Sequence, residues 1–124
     1  MSGEPQPRLS MGRAMRLKQS RDFERVRREG RRMSCGCFIA NWQMLPPGAG
    51  THVGVITARK LGNAVARARA RRLLREVFRL HQHDFARPVD MVLVAQGQIV
   101  GKGMDEVEEA FMKLMRNAKL LKAE

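Results

Sequence analysis

The sequence predicts an α+β fold, a single mostly antiparallel sheet of about four strands packed with three helices. Three observations predict it. Apolar residues recur at helical spacing through residues 59–81 and again from Met104 onward. Two stretches of alternating polarity, Cys37 to Leu45 and Thr51 to Arg59, flank the turn-forming Pro46-Pro47-Gly48-Ala49-Gly50. Val89 to Ala95, VDMVLVA, is an apolar run of the kind found in a strand covered on both faces.

Residues 1–15 mix Pro, Gly and small polar residues without periodicity and predict a flexible tail, followed by one domain over 16–124. From Arg16 to Gly30, Ser20 is placed to cap a short helix and Gly30 to end it at the C′ position. Leu17, Phe23 and Val26 give that helix a thin apolar edge, and Arg21, Arg25, Arg27 and Arg28 cover much of the remainder. Arg31 to Ser34 adds a short edge strand. In the next strand Phe38, Ala40, Trp42 and Met44 point to the core, while Cys37, Ile39, Asn41 and Gln43 form a mixed face that something can lie across. Val53, Val55 and Thr57 oppose His52, Gly54, Ile56 and Ala58 in the strand after it, and the two strands are expected to pair as an antiparallel hairpin. Pro88 closes the central helical run, because the residue before proline is pushed away from helical angles. The last helix places Asp105, Glu106, Glu108 and Glu109 near its positive end and Lys113, Arg116, Lys119 and Lys122 near its negative end. Its predicted buried stripe is Val107, Phe111, Leu114, Met115, Ala118 and Leu121.

Charge narrows the function. The 124 residues carry 24 Lys+Arg against 12 Asp+Glu, a formal net charge of +12, and a pI near 11.3. Residues 1–83 hold 18 basic and 5 acidic residues, whereas 84–124 hold 6 and 7, so the positive surface belongs to the first two thirds. A small protein of this balance points to nucleic acid. With five Phe, one Trp and no Tyr, backbone contact should dominate over base stacking. No apolar run reaches the length of a membrane span, and Met1 to Arg16 lacks the apolar centre of a signal peptide. Cys35 and Cys37 are too few and too close for a disulfide framework, and reduced thiols in a cytoplasmic setting are expected.

The densest charge lies in Arg59 to His81, RKLGNAVARARARRLLREVFRLH. As a helix, this stretch buries Ala66, Ala70, Leu73, Leu74, Val77 and Leu80 on one stripe. Arg67, Arg71, Arg75 and Arg79 form a ridge at four-residue spacing, with Arg69 and Arg72 beside it and Glu76 as the one acid among them. Such a face needs an anionic partner. Gly62-Asn63 supplies the turn into the helix, whose N-terminal N–H groups favour phosphate. Cys35, Cys37, His81 and His83 lack the spacing of a structural zinc site. Asp22, Glu24, Glu29, Glu76, Asp84 and Asp90 form no recognisable catalytic pair, so no protein side chain is assigned as catalytic and no metal site is assigned.

Arg59-Lys60-Leu61-Gly62-Asn63-Ala64-Val65-Ala66-Arg67-Ala68-Arg69-Ala70-Arg71-Arg72-Leu73-Leu74-Arg75-Glu76 resembles the Arg-Asn-Arg signature of the protein component of bacterial ribonuclease P. Arg16-Leu17-Lys18 followed by Asp22-Phe23 resembles that family's opening helix, and the likeness covers about residues 16–121. The resemblance implies the fold of ribosomal protein S5 domain 2 with a left-handed β-α-β crossover, where the general rule is right-handed. It implies a monomeric accessory subunit in a 1:1 ribonucleoprotein with ribonuclease P RNA. That RNA, holding most of the Mg2+, removes the 5′ leader of precursor tRNA. It assigns catalytic-RNA contact to Lys60, Asn63, Arg67, Ala68, Arg69, Arg71, Arg72 and Arg75, and a leader-binding cleft to Phe23, Arg27, Ile39, Asn41 and Lys60. The chain departs from the pattern at Ala68, where the motif has asparagine, at Gln96, and at Arg27 and Asn41, where aromatics are frequent. The alternative is a ribosomal or general structural RNA-binding protein of the same fold.

Overall fold

A computed structural model of the chain describes residues 16–17 and 19–122. The tail expected over 1–15 lies outside the described residues, as do Lys18, Ala123 and Glu124. The elements run α1 (Ser20–Glu29), β1 (Arg31–Ser34), β2 (Phe38–Met44), β3 (His52–Thr57), α2 (Ala64–His81), β4 (Val89–Ala95) and α3 (Met104–Asn117), with short 3-10 turns at Arg59–Leu61 and Gly97–Ile99. Three helices and a four-stranded mixed sheet make up the α+β fold that the patterning predicts.

The sheet order is β1-β2-β4-β3, which corrects the expected hairpin. β2 and β3 do not pair. β4 lies between them, antiparallel to β2 through Asn41↔Val92 and parallel to β3 through Gly54↔Val92. The reason lies in burial. Met91, Val92, Leu93 and Ala95 are all fully buried, and a strand with apolar groups on both faces loses most by standing at an edge. β3 therefore reaches its parallel neighbour β4 through α2.

One face of the sheet carries the main core. Phe38, Ala40 and Trp42 of β2, Val53 and Val55 of β3, and Met91 and Leu93 of β4 pack there with Leu74, Val77 and Phe78 of α2 and Val107, Phe111 and Met115 of α3. Phe38 and Phe111 meet with ring centroids 6.2 Å apart. α1 covers part of the other face, where Val26 and Val92 are buried apart from this cluster.

Several local expectations change. Gln19, not Ser20, is the N-cap of α1, and no side chain caps it. Gly30 ends α1 with extended backbone, φ −93° and ψ −170°, so the left-handed C′ role is not what it serves. A Cβ there would stand 2.2 Å from the Trp42 carbonyl oxygen and 2.5 Å from that of Val26; close backbone approach demands the glycine. In α2 the buried residues are Ala70, Leu74, Val77 and Phe78, whereas Ala66, Leu73 and Leu80 are only half-buried, and the helix ends at His81, well before Pro88. Met44 is 41% exposed at the end of β2, where the strand runs out of the core. In α3 the stripe ends on Leu120 instead of Leu121. Lys119 adopts φ 59°, the Leu120 N–H donates to Met115 O at 3.0 Å, and the Lys119 N–H donates to Arg116 O at 3.0 Å. This Schellman turn breaks the helical period and swings Leu120 inward.

Candidate RNA interface

The first candidate surface is the outer face of α2. Asn63 starts the helix, its Oδ1 accepting from the Ala66 N–H at 2.9 Å. Alanines at 64, 66, 68 and 70 favour helix and keep the spaces between the arginines open. With Leu74, Val77 and Phe78 fully buried, the helix is anchored by one side and offers the other to solvent. There Arg16, Arg71, Arg72 and Arg75 surround Ala68 in an open concavity of about 470 Å³, with the Glu76 and Arg79 pair completing the lining. Arg79 Nη2 binds Glu76 Oε2 at 2.6 Å, so the one acid of the segment is already engaged. Burial first, then the nearby charges of Arg16 and Arg71, holds the Arg75 guanidinium below its ordinary pKa. Like charges gathered this way are relieved by an anion between them. Arg67 and Arg69 differ from these: Arg67 Nη1 donates to Gly62 O at 2.7 Å and Arg69 Nη2 donates to Lys102 O at 2.8 Å.

The second surface is the cleft between α1 and the sheet. The Phe23 ring lies directly over Gly54, since a Cβ on that glycine would sit 2.1 Å from Phe23 Cε1. Arg25 donates from Nη2 to Asp90 Oδ2 at 2.7 Å and from Nη1 to the side-chain Oε1 of Gln43, while His52 Nδ1 lies 2.7 Å from Asp90 Oδ1. The hydrogen bond to Asp90, opposed by burial, raises the Arg25 pKa above its ordinary value. This network on nearly buried Asp90 fastens α1 across β2, β4 and β3. Beyond the part that α1 covers, Ile39, Val94 and Ile56 stand in register on three adjacent strands, all half-buried. Arg27 and Asn41 share a concavity of about 550 Å³ with Glu24, Arg28 and Arg32. The cleft thus offers a polar, positively charged wall and an apolar floor.

Comparison with known proteins decides the family. The ribonuclease P family model matches residues 11–119. The chain belongs to the ribonuclease P protein family. The ribonuclease P protein component of Staphylococcus carnosus is 30% identical over 112 residues, 89% of this chain and 95% of that protein. That of Chloroflexus aggregans is 34% identical over 116 residues, 90% and 82% of the two chains. The solved Staphylococcus aureus RNase P protein superposes with a TM-score of 0.78 at 23% identity, covering 89% of this chain and all of the other (100%). The Thermotoga maritima RNase P protein gives 0.71, also at 23%, covering 82% and 96%. Membership makes the chain a protein subunit of ribonuclease P, an RNA-binding protein of tRNA processing.

Within this ribonuclease P protein fold the residues singled out in the sequence fall into two groups. Ala68, Arg71, Arg72 and Arg75 converge on one concavity, whereas Arg67 and Arg69 have backbone partners and Asn63 serves as the helix cap. Phe23 and Arg27, four apart on α1, stand on one side of that helix, and Ile39 and Asn41, two apart on β2, on one face of the sheet. Lys60 is exposed in the 3-10 turn that joins β3 to α2. Arg16 is the residue that sequence reading missed as a site. It bridges to Val53 of β3, with the Leu17 N–H donating to Val53 O at 2.9 Å, and so lies beside α2 and outside α1. Nothing local signals that placement, because its partner strand is 37 positions away (53 − 16). Among the described residues no three His, Cys, Asp or Glu side chains come together to hold a metal ion, and no helix is long and apolar enough to cross a membrane.

Proposed function

We propose that this subunit grips the catalytic RNA of ribonuclease P with the arginine face of α2 and holds the 5′ leader of precursor tRNA in the cleft between α1 and the sheet. The observation that carries the reading is the concavity that Arg16, Arg71, Arg72 and Arg75 share with Ala68, four like charges gathered on a helix whose opposite side is fully buried. Arg67, Arg69, Lys60 and the Asn63 turn extend that surface along an RNA backbone. In the cleft, Phe23 and Ile39 meet the leader's bases or sugars, while Arg27, Asn41 and Lys60 meet its phosphates and polar edges. Arginine and asparagine in place of aromatics make that contact depend more on charge than on stacking.

In this reading the catalytic RNA, with Mg2+ bound mainly to it, supplies the phosphodiester hydrolysis. The protein's side chains position the leader, neutralise phosphate repulsion between two RNAs and leave the chemistry untouched. One protein monomer joins one RNA. The test mixes the purified chain with a bacterial ribonuclease P RNA and precursor tRNA at low magnesium. Cleavage at the mature 5′ end should rise with protein, and precursor should bind the complex more tightly than mature tRNA. No gain at any protein concentration would overturn the reading; equal affinity for the two RNAs would overturn the leader assignment.

A further inference from the structure

The turn between β1 and β2 holds two thiols that neither RNA surface uses. Cys35 is half-buried and Cys37 buried, and their Sγ atoms lie 4.0 Å apart. Gly36 between them has φ +96°, a left-handed backbone that lets the chain reverse within one residue. The Cys35 N–H donates to Phe38 O at 3.1 Å and Cys35 Sγ lies 3.5 Å from the same oxygen, so the turn keeps the two sulfurs as neighbours. Cys35 also opens on a concavity of about 470 Å³ against α3, together with Lys102, Glu106, Glu109 and Lys113. A small polar oxidant can reach it there.

We propose that Cys35 and Cys37 form a reversible dithiol oxidation site that takes a hydroperoxide. The Cys35 thiolate attacks one peroxide oxygen, the O–O bond breaks, and hydroxide or alkoxide leaves, giving a Cys35 sulfenic acid. Cys37 Sγ then attacks the Cys35 sulfur and expels the hydroxyl, which departs as water with the Cys37 proton. Two thiols and one hydroperoxide become one disulfide, one water and a second water or an alcohol. The sulfurs close from 4.0 Å to the bonded distance of about 2.05 Å, a motion within the turn. A dithiol reductant reverses the step by exchange.

The two thiols are suited to different parts. The hydrogen bond from Cys37, acting against burial, lowers the Cys35 pKa to about 7. The same hydrogen bond, with burial, pushes the Cys37 thiol up. Cys35, half-buried and open to the concavity, is placed to meet the oxidant, and buried Cys37 beside it is the sheltered resolving thiol.

The test exposes the reduced full chain to graded hydrogen peroxide, then denatures it, alkylates it and reads the intact mass and the peptide spanning both cysteines. Both sites should lose alkylation together in a monomer, with the loss of two hydrogens, and dithiothreitol should restore both. In Cys37→Ser, dimedone should trap a Cys35 sulfenic acid. In Cys35→Ser, oxidation should slow by roughly tenfold or more, because the remaining thiol is buried and protonated. Oxidation of Cys35 to sulfinic acid while wild-type Cys37 stays alkylatable, or disulfides formed only between molecules, would overturn the proposal.

Discussion

Gly54 shows how a single residue can set the geometry of a cleft. Its missing side chain leaves room for Phe23 against the centre of the sheet, and an added methyl would stand 2.1 Å from Phe23 Cε1. Gly54→Ala should therefore displace Phe23 and lower stability by roughly 1–3 kcal/mol, the usual range for overpacking. In a Phe23→Ala background the same methyl has room, so its cost should largely vanish. Urea unfolding of the four proteins measures that coupling, and strictly additive effects would mean that the ring does not need the glycine. Sequence alone marks Gly54 only as an alternation position in a strand, since its partner lies on a helix 31 positions earlier (54 − 23). Ala68 was more legible. It stands where the ribonuclease P motif has asparagine, although the guanidiniums that share its concavity include Arg16, from outside that helix.

At the scale of the element, α2 combines a capped start, a buried stripe and an uncompensated basic face. Its start and polarity are readable because 3.6-residue periodicity is a local property. Which arginines are available is not local. Arg67 and Arg69 bond backbone oxygens, Arg79 is held by Glu76, and Arg71, Arg72 and Arg75 face the open concavity. Replacing these last three with alanine should flatten the slope of log affinity against log salt for the catalytic RNA by about 2–3, at roughly 0.7–0.9 per phosphate released. Filter binding across a salt series measures the slope; an unchanged value would place the RNA on another face. The arginines of α1 belong to a separate surface, across the sheet from α2.

Across the whole molecule, His81 ties α2 to α3. Its Nδ1 lies 2.7 Å from Asp84 Oδ2 and its Nε2 lies 2.7 Å from Glu108 Oε2, and its ring stacks near Phe111 with centroids 6.0 Å apart. Burial alone would lower the imidazolium pKa, but the bonds to Asp84 and then Glu108 outweigh it, and the folded-state pKa is raised. A raised folded value means that the charged form stabilises the fold. That contribution is fully present below the unfolded value of about 6.5 and is lost as pH rises through the higher folded value. The stability difference between the natural chain and His81→Gln should therefore be largest in mild acid and shrink as pH rises through that window. Urea unfolding at several pH values measures it, and a difference independent of pH would rule out the charged clasp.

The order of elements, the arginine face, the central helix and the apolar β4 segment were determined by the sequence itself, because each depends on residues within a few positions of one another. Strand order was decided only in three dimensions. An adjacent pair such as β2 and β3 looks like a hairpin from its turn, yet β4, apolar on both faces, takes the place between them. The same insertion brings Asp90 within reach of both Arg25 and His52, and aligns Ile39, Val94 and Ile56 across three strands. Local pattern thus produced the arginine-covered helix, and long-range burial produced the cleft on the opposite face of the sheet.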